Sequence, residues 1–180
     1  MGNHFPGHFI TNFITEEEAA SIVEKVLPLT WDAWGDENWD NSLIDGHTIK
    51  SQDHDFAKRL WDLKEEIKEE MKNFFRLDKE LYTEGLYISK RDNKDWPITM
   101  HRDSNNNEHH SHGAVLYLNG NFDGGQLYYP DYGVTLEPRP GTLIFHTADV
   151  LHGVINQNPG MRYTMNIFWH HDPSKDNVYF

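Results

Sequence analysis

The chain has 180 residues, enough for one domain with a core of its own and too few for two comfortable ones. Acidic residues outnumber basic ones 29 to 16, a formal net charge of −13, which argues against nucleic acid and anionic membrane surfaces as partners. There is no cysteine, so disulfides, thiolate metal sites and cysteine nucleophiles are all excluded and any metal must rely on His, Asp and Glu.

The opening "MGNHFPGHFITNF" lacks the basic start and unbroken apolar stretch of a secretory signal, and no segment approaches the roughly 18 apolar residues of a membrane span. A cytoplasmic protein is expected. Myristoylation at Gly2 would call for Ser or Thr at position 6, where Pro6 stands. The stretch "HFITNFITEEEAASIVEKVLP" predicts a short strand and then a helix capped by Thr15 with Glu18 three residues on. Its apolar face is Ala19, Ile22, Val23 and Val26, and Pro28 ends it. Between Trp31 and Gly46 a loop rich in Trp, Asp and Asn is expected, its tryptophans packing against a sheet edge.

A longer helix over "QDHDFAKRLWDLKEEIKEEMKNFF" places Phe56, Leu60, Leu63, Ile67, Met71 and Phe74 on the core face and its charges in water. From about Glu84 the pattern changes to seven short apolar or alternating runs, "GLYIS", "GAVLYLN", "GQLYYP", "GVTLEP", "GTLIFH", "HGVIN" and "RYTMNIFWH", separated by Gly, Pro, Asn and Asp. These predict a mainly β sandwich or barrel.

His101 and Asp103 form a His-x-Asp pair, whose side chains leave the same face of an extended segment and can share one metal ion. With 12 histidines such a pair arises by chance about once, and a second stands at His170 and Asp172. Context favours the first. It is followed by a Pro-Gly turn, an apolar strand, His152 at the start of the next strand and Arg162 ten residues later, whereas nothing comparable follows His170.

The array of His101, Asp103, "AVLYLNGNFDGGQLYYP", "VTLEPRPGTLIFHTADVLHGV" and Arg162 resembles the iron(II)- and 2-oxoglutarate-dependent dioxygenases, specifically their prolyl 4-hydroxylase-like branch, over roughly residues 84–171. Tyr117, Leu118, Asn119, Gly124, Gly125, Pro138 and Gly141 fall in the order seen in that family. The resemblance implies a double-stranded β-helix, or jelly-roll, over 84–171, with helical support over 1–83 packed on it and a tail over 172–180, all one domain. It implies Fe(II) held by His101, Asp103 and His152, with O2 and 2-oxoglutarate as co-substrates, release of succinate and CO2, and ascorbate as a further candidate. Arg162 would pair with the distal carboxylate of 2-oxoglutarate through its planar fork, and Tyr117, Tyr87 and Thr164 would donate hydrogen bonds to it. Related halogenases lack the carboxylate ligand, so Asp103 points to hydroxylation.

A prolyl residue of a peptide or protein is the first substrate expectation, and a free amino acid or other small molecule the second. Gln126 replaces a common Glu, Gly113 stands where Arg is frequent, and "SKRDNKDWPIT" is long; all three bear on substrate access. His109, His110 and His112 are expected to be solvated or at a strand edge and His146 to be structural, while the asparagines after Ser104 could form a lid. Two rivals stand beside this reading: a non-catalytic jelly-roll that binds metal or a small ligand, and a relative that repairs alkylated nucleic acid, which the charge disfavours.

Overall fold

A computed structural model describes residues 4–33, 41–92 and 98–180, apart from the side chains of Asn106 and Gln157. In chain order the elements are β1 (Gly7–Ile10), α1 (Glu16–Val26), β2 (Leu43–Asp45), α2 (Gly46–Gln52), α3 (His54–Phe75), β3 (Tyr82–Asp92), α4 (Asp103–Asn106), β4 (His112–Tyr117), β5 (Gly124–Tyr129), β6 (Val134–Leu136), β7 (Leu143–Thr147), β8 (Gly153–Gln157) and β9 (Met161–His170). Each of the seven runs after Glu84 forms a strand.

The strands make a six-stranded sheet in the order β1-β7-β4-β9-β3-β2 and a three-stranded sheet β6-β5-β8, with antiparallel pairing throughout. This is a jelly-roll with helices packed on one side of its larger sheet. Period-2 alternation explains how one sheet serves two interiors. On β4, Ala114 and Leu116 join the helical core, and Val115 and Tyr117 face the smaller sheet. On β9, Met165, Ile167 and Trp169 do the former, while Arg162, Thr164, Asn166 and Phe168 line a cavity between the sheets.

The Thr15 capping box is present, with Glu18 N donating to Thr15 Oγ1 and Thr15 N donating to Glu18 Oε2, both at 3.1 Å. Along α3 the predicted face is buried from Phe56 to Met71, with two departures. Phe74 is 39% exposed, its ring stacked on His8 of the edge strand β1. Lys64, expected in water, is buried: its ammonium donates to Thr83 Oγ1 at 2.8 Å, pairs with Glu65 and lies 3.4 Å from the centre of the Trp61 ring. A long side chain one step off the apolar stripe can bury its stem and still satisfy its charge.

The expected loop from Trp31 to Gly46 ends instead in β2, paired to β3, and α2 follows at once, capped by Asp45. Trp31 is in the helical core, as the packing expectation has it, whereas Trp34 and Trp39 lie outside the described residues. No helix among the described residues is long and apolar enough to cross a membrane.

The Pro-x-x-Gly turn before β7 depends on Gly141, at φ +78°, where a methyl group would run into the carbonyl oxygen of Ile14. Gly133 also has positive φ, at +63°, but open space around it. Gly141→Ala is therefore expected to cost about 3 kcal/mol or more from strain and clash together, and Gly133→Ala only the backbone term of about 1–2 kcal/mol. Urea midpoints of the two variants against the parent check the ranking.

Candidate active site

The first His-x-Asp pair sits where the chain enters the cavity. His101 and His152 form an isolated antiparallel bridge, His101 N donating to His152 O at 2.8 Å and His152 N donating to His101 O at 3.0 Å. Asp103 opens α4, which Ser104 N fastens to the Ala148 carbonyl at 3.0 Å. Asp103 Oδ1 lies 3.4 Å from His101 Nε2 and 3.8 Å from His152 Nε2, and ligand atoms of the three residues all fall within 4.8 Å of one another.

Both imidazoles are set up as ligands. His101 Nδ1 is 2.8 Å from the Thr99 carbonyl and His152 Nδ1 is 3.0 Å from that of Val150. A carbonyl only accepts, so each Nδ1 carries the proton and each Nε2 keeps its lone pair for a metal. When His101 Nε2 does take a proton it donates to Asp103, and that hydrogen bond raises the ring above the ordinary histidine value. Burial, and then the proximity of His146, push His152 down to about 4. Burial works to raise Asp103, but the hydrogen bond from His101 and the neighbouring imidazoles outweigh it and hold the carboxyl below its usual range. Two neutral imidazoles and one carboxylate on one side of an ion suit Fe(II) with open positions.

The cavity beyond this triad has a volume of about 470 Å³, within the range of small-molecule sites. The register of β3 and β9 lines its wall with cross-strand pairs: Tyr87 with Asn166, Ser89 with Thr164, and Arg91 with Arg162. Arg162 is 5% exposed, lowered by burial, and no described carboxylate lies within ion-pair distance of it. Tyr117, fully buried and in turn raised by burial, is close enough to interact electrostatically with Arg162. Thr164 Oγ1 is 2.7 Å from Ser89 Oγ and accepts from Asn166 Nδ2 at 3.1 Å. Tyr87 lines the same wall, pushed up to about 12 by burial and the nearby Asp45 and Glu84 carboxylates.

All seven residues singled out in the sequence thus line one cavity. Others were missed. Arg91, Ser89 and Asn166 gave no signal beyond their alternation with core residues, and His146, expected to be structural, lies with its ring 4.4 Å from that of His152 and lines the cavity. The Tyr129 hydroxyl is buried with no hydrogen-bond partner among the described residues, its ring 5.8 Å from that of His152.

The other histidines of residues 100–113 correct an expectation. His109 is exposed, but His112 starts β4 buried against Phe75, with burial and then the charge of His171 pushing it down to about 4. His110 stacks on Phe168 and lies 3.9 Å from Glu84. These rings cover apolar surface behind the site, which a polar local sequence conceals. The second His-x-Asp pair belongs to no three-donor group among the described residues: His170 Nε2 is 3.5 Å from Glu84 and Asp172 caps the turn at Pro173–Lys175. Gln126 is held by Glu137 and Asn156 on the smaller sheet and does not line the cavity.

No protein-family model and no curated protein matches the sequence. Solved structures do. An oxidoreductase of the 2OG-Fe(II) oxygenase family from Burkholderia pseudomallei superposes with a TM-score of 0.65 at 17% identity, covering 93% of this chain and 86% of that one. The chain has the fold of the 2OG-Fe(II) oxygenases. A Pseudomonas putida prolyl-4-hydroxylase shares this oxygenase fold at a TM-score of 0.63 and 15% identity, over 93% and 94% of the two chains. So does a non-haem α-ketoglutarate-dependent epimerase from nogalamycin biosynthesis, at 0.64 and 15%, over 92% and 78%. Identities this low carry the architecture, and the reaction must be argued from the site.

Metal binding should follow the protonation of His101. Its pKa is raised, so a proton competes for Nε2 as pH falls through and below that value, while His152 stays neutral down to about 4. Mn(II) affinity, followed by the loss of the free-ion electron paramagnetic resonance signal, is expected to fall by about tenfold per pH unit below the His101 pKa and to level off above it. His152→Ala should weaken it on the order of 100-fold or more at any pH.

Proposed function

We propose that the chain is an Fe(II)- and 2-oxoglutarate-dependent hydroxylase. The observation that carries this reading is a pair of features in one cavity: two histidines tied through Nδ1 to carbonyls beside a carboxylate, and a buried arginine with no carboxylate of its own among the described residues. His101, Asp103 and His152 would hold Fe(II), which when bound supplies activation of O2. The overall reaction balances as 2-oxoglutarate, O2 and a C–H substrate giving succinate, CO2 and the hydroxylated product, one oxygen atom going to each organic product.

The residues divide the work. Arg162 pairs with the distal carboxylate of 2-oxoglutarate, bidentate and in a site of low dielectric where a charge-assisted hydrogen bond is strong. Tyr117, Tyr87 and Thr164 line the same cavity as Arg162 and the triad and offer hydroxyl donors to 2-oxoglutarate. The apolar side formed by Val115, Leu127 and Val154 limits water around the reacting C–H bond. Closed coordination would favour the rival of a structural metal site, but three protein ligands facing a cavity leave room for co-substrate.

Two substrate readings are supported. The fold likeness to prolyl 4-hydroxylases favours a prolyl residue of a peptide or protein, and a second arginine in the cavity favours a free amino acid or other small molecule. The acidic charge of −13 supports neither nucleic acid nor an anionic membrane surface as a partner.

Succinate formation by the iron-loaded protein with 2-oxoglutarate, O2 and ascorbate tests the reaction. His152→Ala should abolish it, and Arg162→Lys should raise the KM for 2-oxoglutarate roughly 10- to 100-fold, because an ammonium cannot reproduce the bidentate fork. No succinate from the iron-bound parent, with prolyl peptides and amino acids present, would leave the metal-binding jelly-roll as the reading.

A further inference from the structure

We propose that Glu84 is a positioning residue for the metal site: its carboxylate clamps the helical turn that carries Asp103, through the side chain of Asn107. The inference rests on the reading of Asp103 as an iron ligand. Glu84 stands at an irregularity in the ladder between β3 and β9, where the register passes from Thr83 opposite Trp169 to Gly85 opposite Phe168 and skips Glu84. Thr83 Oγ1 accepts from Lys64 on α3, and Leu86, three residues on, lies in the helical core. Strict alternation cannot put both on one face of the sheet. The extra residue resolves the conflict and sends the Glu84 carboxylate to α4, the kind of re-aiming that a β-bulge performs.

What it meets there is the C-terminal end of the turn. Asn107 Nδ2 donates to Glu84 Oε1 at 2.9 Å. Asn107 is the C-cap of α4: its N–H donates to the Asp103 carbonyl at 3.2 Å, its carbonyl accepts from His110 N at 3.0 Å and its Oδ1 accepts from His109 N at 3.0 Å. The opposite end of α4 is held by the hydrogen bond from Ser104 N to the Ala148 carbonyl. A helix of four residues has no stability of its own, because nucleation costs more than one turn of hydrogen bonds returns, so its position is set by what it is tied to. Tolerance is small here, since a methyl group on Gly113 would already crowd Asp103 Oδ2 at 3.0 Å.

The other neighbours of the carboxylate do not explain its place. His170 Nε2 lies 3.5 Å from Glu84 Oε2, but its Nδ1 accepts from Asp172 N at 3.1 Å and its Nε2 is 3.3 Å from the Lys175 carbonyl, so that ring is already satisfied. His110 Nε2, at 3.9 Å from Oε1, is beyond hydrogen-bond distance. Asn107 makes the short contact.

The test reads Mn(II) affinity and amide hydrogen exchange together. Glu84→Ala is expected to weaken Mn(II) binding about tenfold or more, while Glu84→Gln, whose amide oxygen still accepts from Asn107, stays within about threefold of the parent. Asn107→Asp sets two carboxylates against each other and should lose as much as Glu84→Ala. Adding Glu84→Gln to Asn107→Asp rebuilds the hydrogen bond with donor and acceptor exchanged and should recover most of the affinity. In the metal-free protein Glu84→Ala should speed exchange at the Ser104 and Asn107 amides about tenfold or more and leave the α3 amides at parent rates, whereas a global loss of stability would speed them all. Unchanged Mn(II) affinity in Glu84→Ala overturns the proposal. So does a Glu84→Gln variant as weak as Glu84→Ala, or exchange that rises equally in α3 and α4. Faster exchange confined to α4, in a protein whose parent binds no Mn(II), would uphold the clamp on α4 and overturn the iron-ligand reading of Asp103.

Discussion

The two hydrogen bonds between His101 and His152 are the constraint on which the site depends. They join a segment entering from β3 to the start of β8, although 51 positions separate the two residues. A metal site needs its donors within a few tenths of an ångström, and an exposed loop alone would not hold His101 that well. Backbone pairing fixes the two α-carbons, the Thr99 and Val150 carbonyls then fix the rings, and the Ser104 to Ala148 hydrogen bond brings Asp103 to the same side. The placement of the three candidate ligands thereby follows from β-sheet geometry.

The larger sheet pays for this placement by having no solvent-facing side over its central strands. On β3, β4 and β9 one set of alternate residues packs under α1 and α3, and the other set lines the cavity or packs against the smaller sheet. The helices let polar residues such as Ser89, Thr164 and Asn166 stand inside without loss of the fold, because the apolar burial is concentrated on the opposite side. The inner polar groups also satisfy one another, as buried groups must. Gly113 shows how closely the two sides are matched to the triad: a methyl group there would come within 3.0 Å of Asp103 Oδ2.

Much of this was legible in the chain itself. Strand runs after Glu84 announced themselves by turn residues on either side, and the Thr15 to Glu18 capping box marked α1 unambiguously. His101, Asp103, His152 and Arg162 were picked out together through the resemblance to a known family, and the structure brings all four to one cavity. Arg91 was not, since a lone arginine in "ISKRD" looks like any strand-end charge until the register sets it against Arg162. Nor was β2, whose three residues "LID" carry too little periodicity to be distinguished from a loop and form a strand only because β3 offers an edge. Lys64 and His112 share a different cause: their polar type signals water, and burial became affordable only through partners distant in sequence, Thr83 for the lysine and Phe75 for the histidine.

The strand order has a consequence for how the molecule comes into being. In the six-stranded sheet β9 lies between β4 and β3, and among the described residues no other strand joins the β1-β7-β4 half to the β3-β2 half. A nascent chain that has emerged only through β8 therefore owns two separate half-sheets, each with an open edge where its central neighbour belongs. Native closure must await Met161–His170, long after α1 and α3 have formed locally. Such late, long-range pairing is slow and exposes strand edges in the interval. Before β9 arrives Arg162 is absent from the cavity too, so the pocket and the sheet are completed by the same final step.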